Sequence, residues 1–347
     1  MKKVFGIFLS LIVLMSLSAC KKGHSALTFV SSGESTISLV KEGNPLDISL
    51  EYSMDGKNWN PYTMGKTLGL LDGDELSFRA GEQGNDYFSF NDEDYYYFKI
   101  SGSVAAKGNI MSLLDRNCAR NSVPSFAFFN LFFDCTGLTS APDLPATELA
   151  EYCYTSMFAG STALTEAPVL PATELAGGCY YGMFWGCTSL EKAPVLPAME
   201  LASVCYNVMF YDCTNLTEAP ALPAMKLASS CYTSMFSGCT CLTKAPELPA
   251  TELAEDCYRN MFSGCTNLTK APELPATELV VGCYSNMFTR CTSLNYVKAL
   301  FTRTSIRATS YWLSDVAPTG TFVKNKDATW DVRGESGVPE GWTVIAE

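Results

Sequence analysis

The chain has 347 residues, 47% of them hydrophobic, which is material for one long or two ordinary folded domains and excludes a disordered polymer. Its formal net charge is -12, with 36 acidic against 24 basic side chains, so its field repels nucleic acid. A single histidine, His24, excludes histidine-based zinc sites and leaves any cysteine or serine nucleophile without an imidazole base.

Residues 1–20, MKKVFGIFLSLIVLMSLSAC, have a basic start at Lys2 and Lys3, an apolar run from Val4 to Leu17 and small residues before Cys20. That is a bacterial export signal, too short for a lasting transmembrane helix. Leu17-Ser18-Ala19-Cys20 resembles the lipobox of bacterial lipoproteins, which implies lipidation of Cys20 and attachment to a membrane through lipid alone. Lys21-Lys22-Gly23 contains no aspartate of the kind that retains such proteins at the inner membrane, so an outer-membrane lipoprotein at the cell surface is expected. Residues 21–26 read as a tether.

Residues 27–107 alternate apolar and polar positions in short runs such as LDISLEYS, ELSFRA and YYYFKISGSV, separated by turns such as Asp55-Gly56 and Asp72-Gly73. This is the pattern of an antiparallel, immunoglobulin-like β-sandwich. The acidic clusters at 72–75 and 91–94 lack an EF-hand frame and read as hairpin turns rather than a calcium site. Tyr87, Phe88, Tyr95, Tyr96 and Tyr97 form an aromatic group, alternate members of which must face the core.

From residue 127 onward the chain repeats itself. Cys153, Cys179, Cys205, Cys231, Cys257 and Cys283 are each 26 residues apart, and so are Cys187, Cys213, Cys239, Cys265 and Cys291, with Cys135 and Ser161 leading the same column. Leu138, Leu164, Leu190, Leu216, Leu242, Leu268 and Leu294 run in step, with two proline columns. A fixed period of this size predicts a solenoid, in which each unit completes its core on its neighbours. Residues 108–318 are read as that solenoid with an N-terminal cap, and 319–347 as a C-terminal cap.

Within a unit, Cys179, Tyr180, Met183 and Phe184 stand at i, i+1, i+4 and i+5, the spacing of one face of a short helix. Gly186 predicts a left-handed stop, and Thr147, Thr173, Thr251 and Thr277 predict helix N-caps. Ala193-Pro194-Val195-Leu196-Pro197 predicts an extended segment whose two prolines thin the hydrogen-bond ladder. In-register cysteines at about 4.8 Å per coil are too far apart for relaxed disulfides, so the ladders are expected to be buried free thiols.

The frame CTSLxxAPxLPAxxLAxxCYxxMFxGC resembles the BspA-like leucine-rich repeats of bacterial surface proteins over about residues 125–325. The resemblance implies a leucine-rich-repeat solenoid of short strand plus short helix, and hence a mixed α/β repeat behind the sandwich. It also implies adhesion to host or bacterial surface proteins, and it supplies no catalytic motif.

No paired carboxylates mark a hydrolytic site, so the expectation is a non-enzymatic protein with no cofactor and no metal. Two sets of positions vary inside the fixed frame and are candidates for a binding face. One is Asp143, Val169, Val195, Ala221, Glu247 and Glu273; the other centres on Trp185 and Tyr211. A surface protein is the expected partner, with polysaccharide held by exposed aromatics as the alternative.

Overall fold

A computed structural model describes residues 25–347; the export signal, Cys20 and His24 lie outside the described residues. The alternating N-terminal runs form two sheets that face each other. Strands β1 (Leu27–Ser31), β3 (Leu50–Ser53), β4 (Asn60–Pro61), β6 (Glu75–Ala80) and β8 (Val104–Lys107) make one, in the order β4-β3-β6-β1-β8. The other is β5 (Leu68–Leu70), β2 (Ser35–Glu42) and β7 (Tyr95–Ser101), in the order β5-β2-β7. All of these neighbours are antiparallel. Phe29 of β1, Phe78 of β6 and Phe98 of β7 meet edge to face between the sheets, with centroids 5.0 to 6.1 Å apart.

The repeats contain no helix, which corrects the mixed α/β reading. Among the described residues the one helical element is a single 3-10 turn, Ile110–Leu113, whose N-cap is Asn109. The C-terminal part is instead a parallel β-solenoid, regular over β10 (Lys270–Leu274), β11 (Tyr296–Ala299), β12 (Gly320–Lys324) and β13 (Trp342–Ala346). With no helix to cap, Thr147, Thr173, Thr251 and Thr277 are simply exposed.

The segment read as helical is a chain of four-residue turns, and its hydrogen bonds show why. Tyr181, Met183, Trp185 and Cys187 donate their N–H groups within the coil, to the carbonyls three residues back. The alternate residues Gly178, Tyr180, Gly182, Phe184 and Gly186 donate instead to Ser203, Cys205, Asn207, Met209 and Tyr211 of the next coil, at 2.8 to 3.1 Å. Half of the backbone donors are thus satisfied locally and half across coils, whereas a helix would satisfy all of its interior donors locally.

This path needs a left-handed residue at every fourth position: Gly178, Gly182 and Gly186 in this coil, and Asp256, Asn260 and Gly264 three coils on. The apolar spacing i, i+1, i+4, i+5 has period four, and a helical period of 3.6 is indistinguishable from it over six residues. Val204 and Val208 occupy left-handed positions with φ of 52° and 49°, where a β-branched side chain is strained.

Side chains facing inward form ladders. Tyr154, Tyr180, Tyr206, Tyr232, Tyr258 and Tyr284 stack with centroids 5.8 to 6.1 Å apart, and Phe132, Phe158, Phe184, Phe210, Phe236, Phe262 and Phe288 at 5.4 to 5.7 Å. The coils are therefore spaced more widely at these columns than the strand separation of about 4.8 Å used above.

From Cys187 onward, each ladder thiol of the second column donates to a phenylalanine carbonyl 29 residues back, as Cys187 Sγ does to Phe158 at 3.1 Å and Cys213 Sγ to Phe184 at 3.0 Å. Ser161 Oγ makes the same bond to Phe132 at 2.9 Å, which accounts for the one exchange in that column. The 14 cysteines described are all free thiols, 13 of them buried.

Sandwich and solenoid share one core. Strand β9 (Leu138–Ser140) pairs parallel to β8. Phe98 stacks on Phe132 at 5.4 Å and 12°, and the Phe98 carbonyl accepts from Cys135 Sγ at 3.1 Å, so strand β7 stands where a preceding coil would be. At the other end Trp312, Trp330 and Trp342 cover the last coils, their indole N–H groups bonded to the carbonyls of Gly337, Phe301 and Ala317.

Candidate functional site

The coils present two outward surfaces. On the extended side, Asp143, Val169, Val195, Ala221, Glu247 and Glu273 are all exposed, while the leucine following each is buried. This follows from strand alternation: the leucine dives into the core and its predecessor points away. Val169 and Val195 lie on adjacent coils with two-thirds of their surface open, at 67% and 65%. Glu273 is joined through Lys298 to Glu347, at 3.5 and 3.3 Å. The backbone of Asp143 is held by Gly108 and Ile110 at the sandwich junction, and partial burial pushes its carboxyl above the usual value.

Two exposed side chains on the extended side escaped the sequence reading. Met199 and Met225 stand on adjacent coils, bonded N–H to carbonyl at 3.1 Å, in the column that other coils fill with threonine. That Thr-to-Met exchange was the available signal. In the neighbouring column, glutamate in the other coils, Lys226 pairs with Glu200 at 2.9 Å on the surface, an interaction worth little in water.

On the curled side, Trp185 is 46% exposed and Tyr211, on the next coil, is half-buried. Their rings meet edge to face at 6.0 Å and 87°. Both are held by the four-residue turns, which set every fourth side chain outward. Tyr181, four residues before Trp185, is also exposed.

A second aromatic group crosses from sandwich to solenoid. Tyr97 and Tyr95 on β7 lie 5.8 Å apart, Tyr95 meets Phe129 at 5.3 Å, and Phe129 meets Phe126 at 6.4 Å. Phe126 stacks on Tyr152 at 5.1 Å. Lys99 sits over the Tyr97 ring at 5.5 Å. Of the five sandwich aromatics named from sequence, Phe88 and Tyr96 are buried, Tyr95 and Tyr97 are half-buried, and Tyr87 is exposed in a loop.

Burial pushes the Cys153, Cys231 and Cys291 thiols up to about 12, and raises the rest of both ladders by the same cause. The acidic clusters of the sandwich serve its turns: Asp94 accepts from the Asn44 N–H and Leu71 N–H donates to Asp74. Asp55 accepts from the backbone N–H groups of Asn58 and Lys57, which holds its carboxyl well below the usual range.

No protein-family description, no curated protein and no solved structure matches this chain.

Proposed function

We propose that the chain is a lipid-anchored, non-enzymatic binding protein of the outer-membrane surface that adheres to host or bacterial surface proteins through its solenoid. The observation that carries this reading is the exposure of Asp143, Val169, Val195, Ala221, Glu247 and Glu273 beside an unvarying buried leucine column. A surface whose side chains change from coil to coil over a constant core suits recognition, because it alters contacts without altering fold. Trp185 and Tyr211 supply a rigid aromatic pair of the type that anchors protein interfaces.

The row of rings from Tyr97 to Tyr152 favours a second reading, capture of polysaccharide, since adjoining aromatic faces suit the apolar faces of sugar rings. The two readings separate in one experiment. Residues 21–347 are screened against arrayed surface proteins and polysaccharides, alongside Trp185→Ala/Tyr211→Ala, Val169→Asp/Val195→Asp and Tyr152→Ala variants. The adhesion reading expects a protein ligand whose binding falls at least tenfold in one of the first two variants. Retention on polysaccharide alone, lost in Tyr152→Ala, replaces it with the second reading.

A further inference from the structure

Leu46, Tyr87 and Phe90 are the exposed large apolar side chains of two neighbouring sandwich loops, at 55%, 49% and 53%. Together with Pro45, Phe88 and Tyr96 they line one shallow concavity. The loops are tied rather than loose. Tyr96 Oη donates to the Leu46 carbonyl at 2.8 Å, Asn44 N–H donates to Asp94, and Phe90 N–H donates to the Asp94 carbonyl at 3.0 Å. The three apolar tips are thus presented to solvent by a fixed scaffold, which for a folded protein marks a contact surface.

The strand register shows where this surface sits. Leu27, the start of β1, is opposite Phe78 near the end of β6, and Glu42, the end of β2, is opposite Tyr95, the start of β7. The loops 43–49 and 81–94 therefore leave the sandwich at the end where β1 begins. Ser25 is at that end too, its carbonyl accepting from Asn109 N–H at 2.9 Å. From Ser25 back to Cys20 there are five residues, a reach of at most about 18 Å when fully extended. An acyl chain on Cys20 would hold this end of the sandwich against the bilayer and leave the coils further along the chain.

We infer that Leu46, Tyr87 and Phe90 form a lipid-contact surface that seats the sandwich on the membrane at its anchored end. This rests on the lipid anchor proposed above. Lys41, opposite Tyr96 on β7, and Asp47, Asp92 and Glu93 are exposed around the patch, three acids to one base, so it suits a lipid surface without net negative charge and is repelled by an anionic one. The same geometry gives the patch a second role, to orient the molecule, since a single lipid tether leaves orientation free and three apolar side chains fix it.

The test uses the full protein, purified from membranes with its native N-terminus and reconstituted in phosphatidylcholine vesicles. Single variants Leu46→Cys, Phe90→Cys and Leu71→Cys, in a Cys241→Ser background, carry an environment-sensitive fluorophore. Leu71 is the control, since it is 64% exposed but lies in the turn before β6, at the opposite end of the sandwich.

Labels at 46 and 90 are expected to shift to the blue and to be quenched severalfold by brominated lipid, with 71 unaffected and with weaker quenching when phosphatidylglycerol is added. Equal responses at all three sites, or none at 46 and 90, overturn the inference, and stronger quenching with phosphatidylglycerol overturns its choice of lipid. Intact mass of the same preparation reports acylation of Cys20 independently. Acylated protein with unquenched labels refutes the contact surface alone, whereas unacylated protein refutes the anchor and the contact surface with it.

Discussion

Raising the pH attacks the solenoid at every coil simultaneously. The two cysteine ladders place 12 thiols in the core, at 135, 187, 213, 239, 265 and 291 and at 153, 179, 205, 231, 257 and 283. Burial disfavours the thiolate, so the folded pKa values lie above that of an exposed thiol, about 11 for Cys283 and about 12 for Cys153, Cys231 and Cys291. A group whose folded pKa is raised contributes its full stabilisation below the unfolded pKa, here about 8.5, and loses it as the pH climbs toward the folded value.

One unit above the unfolded pKa, each thiol favours the unfolded chain by about 1.4 kcal/mol, or about 17 kcal/mol over both ladders. That exceeds the total stability of about 5–15 kcal/mol usual for a folded protein. Far-UV circular dichroism and thiol accessibility, followed together against pH, are expected to change in one cooperative step between about pH 9 and 10. Cys213→Ser, which keeps the bond that Ser161 makes in the same column, is expected to move the midpoint upward. Native ellipticity with unreactive thiols through about pH 11 would refute the reasoning.

The left-handed columns give two further outcomes. Val208→Asn replaces a strained β-branched residue by the type found at Asn260 and Asn286, and is expected to raise stability by about 1 kcal/mol, seen as a higher urea midpoint with unchanged slope. Gly178→Ala is expected to cost about 1–3 kcal/mol, because φ is +63° and the new Cβ would fall 2.5 Å from Tyr152 Cδ1. In a Tyr152→Gly background the clash disappears and only the backbone term is left, so the two substitutions couple in a double-mutant cycle.

Much of this architecture is legible in the residues. The 26-residue period, the inward leucines and the free, buried thiols all follow from column identity, because stacking puts equivalent residues in equivalent places. The helix does not follow, and the reason is physical. Cys179, Tyr180, Met183 and Phe184 are buried in either structure, so hydrophobic spacing alone does not separate a helix from a series of turns. The distinguishing residues are the outward ones, Gly178 and Gly182 with Asp256 and Asn260 in the same columns, whose tolerance of positive φ is what the turns require. From sequence alone, only the Gly186 column points that way. The junction was hidden for a different reason: Phe98 belongs to a strand pattern and Phe132 to a repeat, and nothing local says that they stack. The aromatic row from Tyr97 to Tyr152 is the product of that junction and was equally out of reach.

The glycines of the curled side also set a grammar for the order of the coils. Tyr152 lies over Gly178, Asp134 over Gly160, Asp212 over Gly238 and Asp256 over Gly282, each larger side chain occupying the space that a Cβ would fill in the following coil. Gene duplication and unequal recombination change such arrays by whole units, and here the products are not equivalent. Losing residues 231–256 leaves Asp212 above Gly264 and Ser230 above Gly282, both glycines, and the joint closes. Losing the unit with Gly178 sets Tyr152 above Val204, and it does not. The coils share one frame, yet each carries a record of which neighbour it was selected to sit beside.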